Sequence, residues 1–127
     1  MNLLKLLFGF SAGKNISAQT REAISRDWQS VEAALQSKVP SQLRQALITA
    51  DKALDNALRD IVSGENMGER LKNAKDKFEY SLYDKIWKAH KVRNSLVHEA
   101  GYDPPHYVVT EAIENLKQGL INLGVRL

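Results

Sequence analysis

The 127-residue sequence contains no cysteine, which excludes disulfide bonds, cysteine-based metal sites and thiol catalysis. It also lacks any run of about 18 apolar residues, so we expect no transmembrane helix. Neither sign of charge dominates, because 18 Lys and Arg oppose 15 Asp and Glu for a net charge of +3. This mild excess permits a nucleic-acid partner without requiring one. The lack of cysteine is compatible with a reducing compartment, and we expect a cytoplasmic protein.

Patterns typical of other folds and other chemistries are missing as well. No segment alternates polar and apolar residues as a half-buried strand does, and there is no internal repeat. There is no glycine-rich phosphate loop and no setting for a serine nucleophile. His90 and His98 lack a third ligand at a familiar spacing, and the sequence HEAGY is not the HExxH pattern of zinc hydrolases. We therefore expect no metal and no cofactor.

Apolar residues recur at helical spacing in the first half of the chain. Ser17 is the expected N-cap of a first helix, Pro40 ends it, and Ser41 is the expected N-cap of a second. The short link between these helices predicts an antiparallel hairpin. The residues expected to face the core are Ile24, Trp28, Val31 and Leu35, followed by Leu43, Ala46, Leu47, Ala50, Leu54, Ala57, Leu58 and Ile61.

The second half of the chain predicts three further helices. Asn66 and Glu69 resemble a capping box that opens a short helix. A long helix follows over residues 83–101, and Asp103 with Pro104 is the expected start of a last helix. The inward positions are Leu71 and Ala74 in the short helix and Val109, Ala112, Ile113, Leu116, Leu120 and Leu123 in the last. The prediction is an all-α fold, an antiparallel bundle of four main helices plus one short helix.

Polar residues interrupt the apolar face of the long helix. Arg93 lies near the middle of that face and Asn94 lies beside it. His90 and Asn94 are neighbours at i, i+4, and His98 continues their row if the helix extends that far. A buried, unpaired guanidinium is strongly unfavourable. Arg93 must therefore meet an acid, a second chain, or an anionic ligand in a cleft.

These side chains include the chemical groups that an RNA-cleaving site needs when it uses no metal ion. The attacking 2′-hydroxyl needs a base and the leaving 5′-oxygen needs an acid, and histidine serves in either role. A guanidinium such as that of Arg93 stabilises the charge that develops on the phosphate. Asn94 can orient the phosphate or hold His98 in one tautomer. His90 and Lys91 are further candidates for substrate binding.

The segment WKAHKVRNSLVHE, residues 87–99, resembles the HEPN family. That family is marked by an Arg, then a polar residue that is often Asn, then a His a few residues later near the end of a long helix. Residues 66–78 resemble the short helix that precedes the motif, and residues 98–116 resemble the turn into the closing helix. The resemblance covers roughly residues 20–123.

The resemblance implies an HEPN-like helical domain over residues 16–127. Many HEPN proteins are metal-independent RNases, often toxins or defence effectors, and act as dimers in which the motif of each chain lines a shared cleft. By this resemblance Arg93 binds the phosphate, Asn94 is its polar companion, and His98 is the general acid or base. RNA, a second copy of the chain and an antitoxin or other partner protein are the implied partners. Other HEPN domains serve only in nucleotide or RNA binding or in protein interaction, which is the alternative function.

Each candidate residue also has a structural interpretation. His98 is then a helix-end cap, Asn94 a hydrogen-bonding partner of a turn, and His90 a packing or dimer-seam histidine. For Arg93 the structural interpretation is a buried salt bridge to Glu99, Glu111 or Glu114.

Residues 1–15 form an apolar segment ahead of the helical domain, with Lys5 in the middle of its Leu and Phe residues. It makes a poor signal peptide, because its start is barely charged and its apolar run is short and interrupted. We interpret the segment as packing against its own bundle or against a second copy. Membrane contact as an interfacial anchor, or insertion into a partner, is the alternative.

Overall fold

The computed structural model describes residues 14–127, and its regular elements are all helical. They are α1 (Ala18–Ser37), α2 (Pro40–Ile61), α3 (Met67–Asn73), α4 (Tyr80–His98) and α5 (His106–Asn122), with a 3-10 turn at Lys75–Lys77. The predicted all-helical class is confirmed for this part of the chain. All but the last two residues of the predicted N-terminal segment, 1–15, lie outside the described residues. Within residues 14–127 no helix is long and apolar enough to cross a bilayer.

Two of the predicted helix starts are confirmed by side-chain caps. The Ser17 hydroxyl accepts a hydrogen bond from the Thr20 N–H at the start of α1. The Asn66 side chain accepts one from the Glu69 N–H at the start of α3. The Glu69 carboxylate accepts from the Glu65 N–H, one residue earlier than in a standard capping box. Local sequence therefore determines where these two helices begin.

The predicted starts at Ser41 and Asp103 are wrong, and the long helix α4 runs over Tyr80–His98 instead of residues 83–101. α2 begins at Pro40 and α5 begins after Pro105, and neither has a side-chain cap. Proline fits the first turn of a helix because its fixed φ is helical and it has no N–H to satisfy, so Pro40 can precede any cap at Ser41. Pro104 is kept extended by the proline that follows it, and this delays the start of α5.

The core is built around α2, which packs against each of the other four helices. Its contact with α1 is the most extensive. α4 and α5 pack against one another, and the close approach of Gly119 to Ile86 fits that contact. The predicted apolar stripes of α1, α2, α3 and α5 are buried, with Leu35, Ile61 and Leu123 only partly covered. On α4 only Ile86 and Ala89 of the apolar face are fully buried, and Val97 is exposed. Three polar residues of the described chain are also buried: Asp51, Arg70 and His90.

Candidate functional site

The buried Arg70 on α3 forms an ion pair with Asp55 on α2. Its Nε and Nη2 donate to the two carboxylate oxygens of Asp55 at 2.7 and 2.9 Å, and its Nη1 donates to the Gly64 carbonyl at 2.8 Å. The hydrogen bonds to Asp55 raise the pKa of Arg70 above its ordinary value. All three nitrogens of this guanidinium have protein acceptors, so Arg70 has a structural role in fixing α3 against α2.

The buried Asp51 and His90 belong to a second cluster, a ring of four side chains that we call the Asp51 ring. His90 Nδ1 lies 3.0 Å from Asp51 Oδ1, and His90 Nε2 lies 3.4 Å from Asn94 Nδ2. Arg93 Nη1 donates to Asn94 Oδ1 at 2.9 Å. The ring closes where Arg93 Nε lies 3.5 Å from Asp51 Oδ2. Every member therefore touches two others.

The spacing of residues along α4 produces this ring. His90, Arg93 and Asn94 stand at i, i+3 and i+4, so they share one face of the helix. That face meets Asp51 on α2, which is 3% exposed. An ionised carboxylate can only accept, so His90 donates from Nδ1, and a neutral His90 then carries its lone pair on Nε2, next to the Asn94 amide. The indole of Trp87, one turn earlier on α4, lies edge-on to the His90 imidazole, with 6.0 Å between the two ring centroids.

Arg93 is less fully bonded than Arg70. Its Nε is buried and faces Asp51 without the geometry of a hydrogen bond. Its Nη2 makes no hydrogen bond to any residue between 14 and 127. The side chain is 30% exposed, so solvent or a ligand can reach it. The guanidinium of Arg93 is therefore held by Asn94 at Nη1 and faces Asp51 at Nε, while the N–H groups of Nη2 can bind a ligand.

Both clusters line one cleft of about 760 Å³ between α2, α3 and α4. Its wall carries five cationic and three acidic side chains, so positive charge is in excess. Lys52 and Lys91 are exposed there and form no ion pair within the part of the chain described. The charged residues of the wall are Lys52, Arg59, Arg70, Lys91 and Arg93 against Asp51, Asp55 and Glu65. The cleft is suited to an anion.

The structure brings together most, but not all, of the residues singled out in the sequence. Arg93, Asn94, His90 and Lys91 line the cleft. His98 is the last residue of α4, so the predicted row of His90, Asn94 and His98 does exist on the helix. Its side chain is exposed, lies outside the cleft lining, and forms no hydrogen bond with the residues described.

The predicted salt bridges from Arg93 to the three glutamates are wrong, because the acid beside Arg93 is Asp51. The structural interpretation of Asn94 also changes, whereas His90 is buried as a packing histidine would be. Asn94 bonds Arg93 and His90 instead of a turn, and His90 pairs with Asp51 in the cleft wall. The sequence did contain a signal for Asp51, which falls at i+4 from Leu47 on the apolar face of α2.

No family model, curated protein or solved structure matches this chain. Within residues 14–127, no three His, Asp or Glu side chains form a group able to hold a metal ion.

Proposed function

We propose that this protein is a metal-independent endoribonuclease of the HEPN type, which cleaves RNA by attack of a 2′-hydroxyl on the adjacent phosphate. The observation that carries the proposal is Arg93, whose Nη2 is unbonded within residues 14–127 and whose side chain lines a positively charged cleft. A guanidinium with free N–H groups binds phosphate oxygens through a fixed fork of donors.

The Asp51 ring supports this role because it organises Arg93 before any ligand arrives. Asn94 holds Nη1 at 2.9 Å, and Asp51 balances the charge at Nε. A donor that is already oriented needs little reorganisation as charge develops on the phosphate, which is the condition for strong transition-state stabilisation. Lys52 and Lys91 on the rim would attract the flanking phosphates of the strand.

His98 is proposed to protonate the leaving 5′-oxygen. It stands one helical turn beyond Asn94, about 6 Å along the axis. Its exposed side chain is free to approach a phosphodiester that extends out of the cleft. In the proposed reaction the 2′-oxygen bonds to phosphorus and the bond to the 5′-oxygen breaks. The products are a 2′,3′-cyclic phosphate and a 5′-hydroxyl.

The working form is proposed to be a homodimer with the HEPN-like arrangement of its helices. Val97 is 46% exposed beside His98 at the end of α4. A second copy seated there would cover this apolar side chain and bring a second motif to a shared cleft. The same resemblance supports a cytoplasmic toxin or defence role with an antitoxin or other protein partner.

Purified protein is expected to cleave RNA in the presence of a metal chelator, because Arg93 and histidine replace a metal in this scheme. The measurement is incubation of a defined single-stranded RNA with chelator, followed by analysis of the new ends. The expected ends are a 2′,3′-cyclic phosphate and a 5′-hydroxyl. Cleavage that stops in chelator and returns with Mg²⁺ would refute the mechanism.

The second candidate is a non-catalytic module that binds RNA or nucleotides, or that mediates a protein interaction. It is favoured by one observation, the position of His98 outside the cleft that Arg93 lines. A module of this kind would bind RNA in an Arg93-dependent manner and leave it intact. The chelator assay therefore separates the two candidates.

A further inference from the structure

We propose that His90 is the general base of this cleft, taking the proton from the attacking 2′-hydroxyl, with Asp51 as its positioning residue. The inference rests on the proposed ribonuclease function and deepens it. The cleavage reaction needs a base as well as an acid. His98 supplies one of these groups, so the second has to come from elsewhere in the site.

The hydrogen-bond pattern gives His90 the form that a base requires. Its Nδ1 lies 3.0 Å from one carboxylate oxygen of Asp51 and 3.2 Å from the other. A carboxylate that accepts from Nδ1–H fixes the tautomer, leaves the lone pair on Nε2, and stabilises the imidazolium that forms when Nε2 takes a proton. Asp51 is itself 3% exposed, so little water screens this interaction.

The Nε2 atom is also within reach of a substrate. Its partner in the ring, Asn94 Nδ2, lies 3.4 Å away, longer than the usual 2.9–3.0 Å of such a bond, so an incoming hydroxyl can take its place. Both His90 and Arg93 line the cleft, and Asn94 bridges them. A phosphate on Arg93 would therefore place its neighbouring ribose beside His90.

Atoms and charge balance in the resulting step. The proton of the 2′-hydroxyl moves to His90 Nε2 as the 2′-oxygen bonds to phosphorus. The bond from phosphorus to the 5′-oxygen breaks, and that oxygen takes a proton from His98. The cyclic phosphate and the 5′-hydroxyl strand leave, and water exchanges the protons between the two histidines.

The test compares an ordinary RNA with one whose scissile 5′-oxygen is replaced by sulfur. A thiolate leaves without being protonated, so a variant that lacks the acid recovers on the sulfur substrate and a variant that lacks the base does not. We expect His90→Gln to cleave about 100-fold more slowly on both substrates. His98→Ala should be slow on ordinary RNA and recover on the sulfur substrate. His106→Gln is the matched histidine control, at an exposed position outside this cleft, and should keep the parental rate.

A binding measurement identifies a merely structural role. His90→Gln should bind an RNA with 2′-deoxy sugars, which cannot be cleaved, as tightly as the parent does. Binding and cleavage lost in equal proportion would show that His90 only supports Arg93, and would overturn the inference. Parental cleavage by His90→Gln, or its recovery on the sulfur substrate, would also overturn it while leaving the ribonuclease function standing. A parent protein that cleaves no RNA would overturn the ribonuclease function itself.

Discussion

Replacing Arg93 with alanine is expected to slow RNA cleavage by about 10³-fold. Removing one hydrogen-bond donor to the charge that develops in a transition state can slow an enzyme by that factor. Arg93 lines the cleft, its Nη1 is held by Asn94, and its Nη2 makes no hydrogen bond within residues 14–127. Arg93→Lys should recover only part of the activity, since lysine keeps the charge and loses the planar fork of donors. The measurement is the rate of cleavage at saturating RNA, with circular dichroism to verify the helical content.

The matched control is Arg44→Ala. Arg44 lies on α2 outside the cleft, is partly buried, and approaches Asp103 at 3.8 Å. This variant loses one arginine and one ion pair, so it corrects for any general effect of lower positive charge. Arg93→Ala with the same rate as Arg44→Ala would remove Arg93 from the mechanism and leave the Asp51 ring as a structural feature.

Replacing His98 with alanine is expected to slow cleavage by a comparable factor, about 10³-fold, because an alkoxide leaves poorly without a proton. His98 is exposed and makes no hydrogen bond to the described residues, so thermal stability should remain at the parental value. The measurements are the cleavage rate and the melting temperature of the same preparation.

His106→Ala is the control here, since it removes an exposed histidine from the start of α5. A His98→Ala variant that cleaves RNA like the parent would show that another group protonates the leaving oxygen. A variant with a lower melting temperature would show instead that His98 stabilises the end of α4.

The helical fold was largely predictable because its determinants are local. The 3.6-residue period of apolar side chains located the core faces of α1, α2 and α5, and the caps at Ser17 and Asn66 located two starts. The failures at Ser41 and Asp103 were local too. Each involved a neighbouring proline whose backbone preference took precedence over a polar cap.

The site was only half predictable because it depends on packing between distant segments. Arg93 stood out on an apolar face, and this predicted an unusual environment. Its partner Asp51 lies 42 positions earlier on another helix, as shown by their 3.5 Å approach. Three glutamates nearer in sequence were equally reasonable partners until the helices were placed. Asp51 could have been noticed as an acid on the apolar face of α2, by the same argument that identified Arg93.

The most direct test is whether the Arg93 guanidinium binds an RNA phosphate. The measurement is the affinity of a 2′-deoxy RNA that cannot be cleaved, for the parent and for Arg93→Ala, over a range of salt concentrations. One lost phosphate contact should weaken binding and reduce the slope of log affinity against log salt by about 0.7. If the two proteins give the same affinity and the same slope, Arg93 does not contact the phosphate and is not the phosphate-binding residue of this cleft.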